Sequence, residues 1–463
     1  MKKIVGLCLI SANLLLLSCN KGEVETYSIS AEEIKSGGGN TVFNTSQNAF
    51  AQPNPDLSGD EELLFFVGNS FFNQNWVTSP ASTQARDGLG PLFNARSCSG
   101  CHFKDGRGEP LQMNQANSKG FLMRLSIDGT DAHGGPNPHP IYGDQLNENS
   151  VVLNDPAEGQ VEVVWEYITK TYADGTTKEL RKPIYTVYDG NGEVMTNTNF
   201  SPRVGQQVIG LGLLEAISET DLTALTSGFE ELGISGKVNY VYNHETGETE
   251  VGRFGWKANQ PSIRQQVAGA FVGDMGITSP IFTMQNNTPG QPQYDTLANG
   301  GNPEIEADDF DKMVLYCSNL AVPARRNTET EKVIKGQKLF NEIGCVACHN
   351  PKFTTASHDD FPYLGNQTIY PYSDMLLHDM GEGLADNRTD FLADGNEWRT
   401  QPLWGLGLIE RVNGHTFLLH DGRARDIEEA ILWHGGEATI VLEQFMQLNA
   451  EDRAAVLAFL QSL

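Results

Sequence analysis

A mainly α fold made by internal duplication, with β-hairpin insertions in its N-terminal half, is predicted for this 463-residue chain. Three observations predict it. First, the pentapeptide Cys-x-x-Cys-His occurs twice, as Cys98-Ser99-Gly100-Cys101-His102 and Cys345-Val346-Ala347-Cys348-His349. Leu92-Phe93-Asn94 and Leu339-Phe340-Asn341 precede the two copies at the same distance, so the repeat extends beyond the motif itself. Second, helix-period apolar patterns dominate the C-terminal third. Third, strict two-residue alternation (Val161, Val163, Trp165, Tyr167) surrounds Asp174-Gly175 in the first half, the mark of a hairpin.

The elements follow in order. Lys2-Lys3 precede an apolar run over 4–17 that closes with Leu16-Leu17-Ser18-Cys19. That is a signal peptide over 1–18, too short to span a bilayer. It resembles a bacterial lipoprotein signal with Cys19 as the lipidated first residue. The expected location is the cell envelope of a bacterium, lipid-anchored and facing the periplasm or the exterior. Residues 19–57 are polar and rich in Gly, Ser, Asn and Pro and read as a flexible tether. An N-terminal domain is expected over 58–310, with a helix at 61–72, a Gly/Pro/Asn-rich stretch at 128–149, and hairpins at 161–195 and 238–251. A C-terminal domain is expected over 311–463. Its helices are predicted at 328–342, 426–434 and 450–463, the last opened by an Asn449 cap, and a helix over 310–320 spans the boundary.

Cys-x-x-Cys-His is the attachment signature of c-type haem: two thiols add to the porphyrin vinyls and the histidine ligates iron. A redox dithiol needs a βαβ context and no histidine, and a zinc site needs a second ligand pair nearby. Two covalently bound haems are therefore expected, at Cys98, Cys101 and His102 and at Cys345, Cys348 and His349, as a duplicated cytochrome c-like unit. Of the 7 cysteines, Cys8 leaves with the signal, Cys19 carries lipid and four hold haem. Only Cys317 is left, so no disulfide framework exists. The net charge of −27 excludes nucleic-acid binding and favours a basic electron-donor protein.

A second repeat lies closer to the chemistry. Gly210-Leu211-Gly212-Leu213-Leu214-Glu215 recurs as Gly405-Leu406-Gly407-Leu408-Ile409-Glu410, with Arg203 and Arg399 upstream. Helices follow at Ile263–Phe271 and, after His420-Asp421-Gly422-Arg423-Ala424, at Ile427–His434. With the paired haem motifs these segments resemble the bacterial di-haem cytochrome c peroxidase superfamily. Gly88-Leu89-Gly90-Pro91-Leu92, Gly255-Trp256-Lys257-Ala258 and Asp274-Met275-Gly276 are more specifically similar to its di-haem oxidoreductases of the peroxidase or "thiol oxidoreductase" type.

That resemblance implies a C-terminal haem that relays electrons and an N-terminal haem that reduces hydrogen peroxide or another small oxidant. It places the sixth ligand of the second haem at His434, with Met380 as the alternative and His420 at the haem edge. Aligning the two helices puts Ala270 where the second has His434, which leaves the first haem open on one side. His133 and His139 are loop histidines of the kind that closes that side in some relatives. Asp274 is the implied acid/base, Gln266 its polar partner and Glu215 the alternative. Arg203 and Arg399 suit haem propionates, and Trp256 and Trp404 suit an electron bridge. Many relatives hold calcium between the haem domains, for which no ligands stand out here. Two other functions remain open: oxidation of a protein or organic substrate, and electron transfer without catalysis.

Overall fold

The computed structural model describes residues 28–115, 119–229 and 232–463. The expected signal peptide and Cys19 lie outside them. Among the described residues no helix is long and apolar enough to cross a membrane.

The mainly α expectation is overturned. The chain is 30% helical and 20% strand, with many small sheets, and is not a mainly α cytochrome c fold. The cause is long-range pairing of very short segments. Leu92–Phe93 pairs with Asn149–Ser150, Thr41–Val42 with Val322–Pro323, and Leu377–Asp379 with Glu397–Arg399. The one long ladder is the hairpin Gly159–Thr171/Thr177–Asp189, turning through Asp174 and Gly175. It reaches across the molecule: Arg181 donates to the Arg423 and Gly422 carbonyls, and Tyr172 to Glu428. A second hairpin joins Tyr240–Tyr242 to Thr249–Val251.

Two helix pairs are packed in a similar way. Asp60–Asn73 packs on Ala307–Ser318, and Glu331–Glu342 on Ala450–Ser462. Each pair crosses at a glycine, because a Cβ there would strike backbone. It would stand 2.2 Å from the Lys312 carbonyl oxygen at Gly68 and 1.9 Å from that of Ala455 at Gly336. Four residues on, one turn along the same face, Phe72 and Phe340 lie against His102 and His349, at 6.4 and 6.1 Å between ring centres. The structural counterpart of Phe340 is therefore Phe72, whereas Phe93 lies in a strand.

Two boundaries move. The expected tether carries structure from Ser28 onward: Ala49 and Phe50 are fully buried and Thr41–Val42 pairs with the body. The expected division at 310/311 falls inside Ala307–Ser318, the helix that closes the first pair. One hydrophobic core runs through both halves.

Candidate functional site

Two cavities of near-equal size, about 210 and 220 Å³, hold the two Cys-x-x-Cys-His segments. Cys98 and His102 line the first, with Cys101 next to it in the short Cys98–Cys101 helix. Cys345, Cys348 and His349 line the second. The repeated Gly-Leu-Gly segment supports both. Gly210 and Gly405 take positive φ of 68° and 74°, which favours glycine, and each opens a short helical turn.

In both cavities the histidine tautomer is set by backbone. His102 Nδ1 lies 2.6 Å from the Gln206 carbonyl, and His349 Nδ1 2.9 Å from that of Tyr372. Each Nδ1–H donates, which leaves Nε2 as a bare acceptor, the form a metal needs. Burial pushes both rings below the usual histidine pKa, His349 to about 4.

The opposite walls differ. The Ile263–Met275 helix is capped by Ser262 and the Ile427–Leu432 helix by Asp426. Counting from each cap, residues four, eight and twelve positions on line the cavities. They are Gln266, Ala270 and Asp274 in the first, and Ala430, His434 and Ala438 in the second. His434 is anchored like its partner, with Nδ1 2.9 Å from the Ala430 carbonyl. Two imidazoles on one metal, with bonds of about 2.0–2.1 Å and ring centres roughly 1.2 Å behind each nitrogen, sit roughly 6.5 Å apart. The His349 and His434 rings stand 6.4 Å apart. Met380 also lines this cavity. In the first cavity, among the described residues, His102 is the one lining histidine.

Asp274 is held against the haem-motif segment by its own backbone. The Asn94 and Ala95 N–H groups both donate to its carbonyl, and Gly90 N–H to that of Met275. A Cβ on Gly90 would lie 2.4 Å from Gly276, so the Gly-Leu-Gly-Pro turn seats on the helix end. The Asp274 Oδ1 accepts from Gln145 Nε2 at 2.8 Å. Burial pushes this carboxyl above its ordinary pKa, with the nearby Arg124 guanidinium opposing. Arg124 lines the same cavity and pairs outward with the exposed Asp144.

Several expected residues are placed elsewhere. Glu215 does not line the cavity: its Oε1 accepts from Ile263 N–H at 2.7 Å and holds the first turn of the helix. His133 stacks on Tyr242 and His139 on Tyr142, the first exposed and the second half-buried. Arg203 is already paired with Asp390 at 2.8 Å. His420 lines the second cavity, stacked on Trp398.

The wall between the cavities is shared. Trp256, Arg399, Gln207, Gln401 and Pro402 line both, whereas Trp404 lines only the first. Trp256 is fixed by its indole N–H to the Val204 carbonyl, and Arg107 lies over its ring at 5.3 Å. Arg107 and Arg399 are 6% and 5% exposed and, among the described residues, have no carboxylate within ion-pair distance. Arg107 Nε has no hydrogen-bond partner among the described residues. Two buried guanidiniums without an ion pair suit anions, although Asp374 partly offsets the charge of Arg399. Sequence reading missed Arg107, Arg124 and Gln145, because no local motif marks them.

The chain belongs to the family described as "Di-haem oxidoreductase, putative peroxidase", whose profile matches residues 30–463. No curated protein is significantly similar to it.

Proposed function

We propose that this member of the di-haem oxidoreductase family is a c-type peroxidase that reduces hydrogen peroxide in the first cavity with electrons passed from the second. The observation that carries the reading is the asymmetry at one helical register. His434 faces His349 across the second cavity, and Ala270 occupies the same register in the first. The cavities fit the group the family name implies: each has a cysteine pair in or beside it, an imidazole with Nε2 left as an acceptor, and a lining that is mostly apolar. In this reading the thiols of Cys98, Cys101, Cys345 and Cys348 attach the haems, and His102, His349 and His434 are the protein ligands, with Met380 a neighbour of the second haem.

Bound haem supplies the iron at which electrons reach peroxide. The chain supplies the rest. Reduction of H₂O₂ to two waters takes two electrons and two protons. Asp274 lines the first cavity with Oδ1 kept by Gln145, which leaves Oδ2 as the oxygen that would accept a proton. It takes the proton from one peroxide oxygen and delivers it to the other, the role of a general acid/base. Gln266 and Arg124 offer donors that polarise the O–O bond. Arg107 and Arg399 would pair with the propionates of bound haem, and Trp256, which lines both cavities, would be the bridge between them. The acidic surface suits a basic donor protein, and Cys19 suits a lipid anchor.

Low-temperature EPR of the ferric holoprotein tests the reading. One high-spin and one low-spin signal, with the high-spin signal alone altered by peroxide, is the expected result. Two low-spin signals indifferent to peroxide would leave an electron carrier.

A further inference from the structure

Lys257 follows Trp256 in a tight turn, with Gly255 and Ala258 at positive φ of 81° and 50°. Trp256 enters the wall between the cavities, and Lys257 enters a separate, fully buried cage. An ammonium carries three protons and no acceptor, and here three oxygens meet them. They are Asp386 Oδ1 at 2.8 Å, the Arg388 carbonyl at 2.8 Å and the Asp394 carbonyl at 2.6 Å. The Trp398 ring lies 4.6 Å away on another side. All three oxygens belong to a C-terminal loop, and the lysine comes from the N-terminal half. Asn239 ties the two together by donating to the Lys257 and Asp390 carbonyls.

Many of the di-haem peroxidases that the chain resembles hold a calcium ion between their haem domains. One carboxylate and two carbonyls form the oxygen-only set a hard cation favours, but calcium takes six to eight oxygens. Here Nζ already stands within hydrogen-bond distance of all three. A divalent ion would meet a like charge in a buried site, where repulsion is strong. The residues present fit a lysine and not calcium. We propose that Lys257 is this protein's built-in inter-domain cation, taking the place of bound calcium and acting as a positioning residue for Trp256 in the wall between the cavities. The effect on electron passage rests on Trp256 being the bridge, and the independence from calcium does not.

The test uses the full holoprotein. Wild type treated with EGTA is compared with the same sample after addition of calcium chloride. Thermal midpoint and the rate of electron equilibration between the haems are expected to match. A fall on chelation that calcium reverses overturns the proposal. Lys257→Ala then opens the cage. The expected result is a lower thermal midpoint and equilibration slowed on the order of tenfold by displacement of the bridge, with haem content retained. Millimolar methylammonium, which refits an ammonium into the cage, should restore both in part. Lys257→Met fills the same space without charge and should not respond to methylammonium. Wild-type behaviour of either variant overturns the proposal. A Lys257→Ala protein that fails to fold leaves the chelation arm decisive, since that arm needs no variant. Normal calcium independence combined with absent peroxidase activity would refute the peroxidase reading alone.

Discussion

Asp274→Asn separates chemistry from packing, because the two are expected to move apart. The native carboxylate keeps one side-chain hydrogen bond, from Gln145 Nε2 at 2.8 Å, and an asparagine Oδ1 in the same place accepts it too. Exchanging a charged acceptor for a neutral one forfeits about 1 kcal/mol. Removing a buried carboxylate relieves a desolvation cost of similar or larger size. Arg124 retains Asp144 at 2.5 Å. Stability at neutral pH is therefore expected within about 1 kcal/mol of wild type, or above it. Burial raises the Asp274 pKa in the fold, so the folded chain holds this proton more tightly than the unfolded one. Its contribution to stability is complete below the unfolded pKa and is lost as pH rises through the folded pKa. The variant loses that dependence, and its relative stability should improve from acid to neutral pH. Turnover should fall about 10²–10⁴-fold, the usual effect of losing a general acid/base. The assay is peroxide consumption with an artificial reductant, alongside haem content and thermal unfolding over pH. Turnover within a few-fold of wild type, with full haem, would remove Asp274 from the acid/base role. Low turnover joined to a lower midpoint would make it structural.

His434→Ala should convert the low-spin signal of the second haem to high-spin without changing the first; an unchanged low-spin signal would move the ligand to Met380. Ala270→His is the reverse experiment, expected to make the first haem low-spin and to abolish its reaction with peroxide, and unaltered peroxide kinetics would count against the register argument. Glu215→Ala removes the acceptor for Ile263 N–H and should cost about 1 kcal/mol in denaturant unfolding, with turnover within a few-fold of wild type. A hundredfold loss in its kcat would instead restore Glu215 as an acid/base candidate. Cys19→Ser should shift the protein from the membrane fraction to an uncleaved or soluble form, and membrane fractionation independent of Cys19 would end the lipid-anchor reading.

What the sequence disclosed was whatever is specified locally. The Cys-x-x-Cys-His segments, the Gly210 and Gly405 turns and the Asn449 cap depend on a few adjacent residues, and each stands where its local chemistry puts it. The Leu-Phe-Asn repeat misled for the same reason. Three residues do not decide between helix and strand when the partner of Leu92 is Ser150. The repeat that does hold is Gly68 with Phe72 and Gly336 with Phe340, a spacing of one turn whose meaning depends on the helix crossing it. The mainly α expectation failed on pairings such as Thr41 with Val322, which carry no alternation because each strand is two residues long. Arg107, Arg124, Gln145 and Lys257 were invisible as site residues because their significance lies in burial and in the partners they have or lack.

The two halves show how little sequence separates a closed site from an open one. A capped helix starts on the wall of each cavity, and the positions four, eight and twelve residues after each cap face inward. In the second half they are Ala430, His434 and Ala438: one imidazole between two methyl groups, facing a second imidazole at 6.4 Å. In the first half the same positions are Gln266, Ala270 and Asp274, a methyl group between an amide and a carboxylate. The exchange is reciprocal, so the first cavity has no imidazole at the middle position and has polar groups on either side of it. The helices diverge after the sixth position. The first continues to Met275 and carries Asp274 a full turn further. The second stops at Leu432, and the chain turns at Gly436, where a Cβ would stand 2.2 Å from the Asp379 carbonyl. A helix that ends there presents no acid to the second cavity, and one that runs on presents Asp274 to the first. On the proposed reading, where each helix ends is what puts a carboxylate in the first cavity and none on the matching wall of the second.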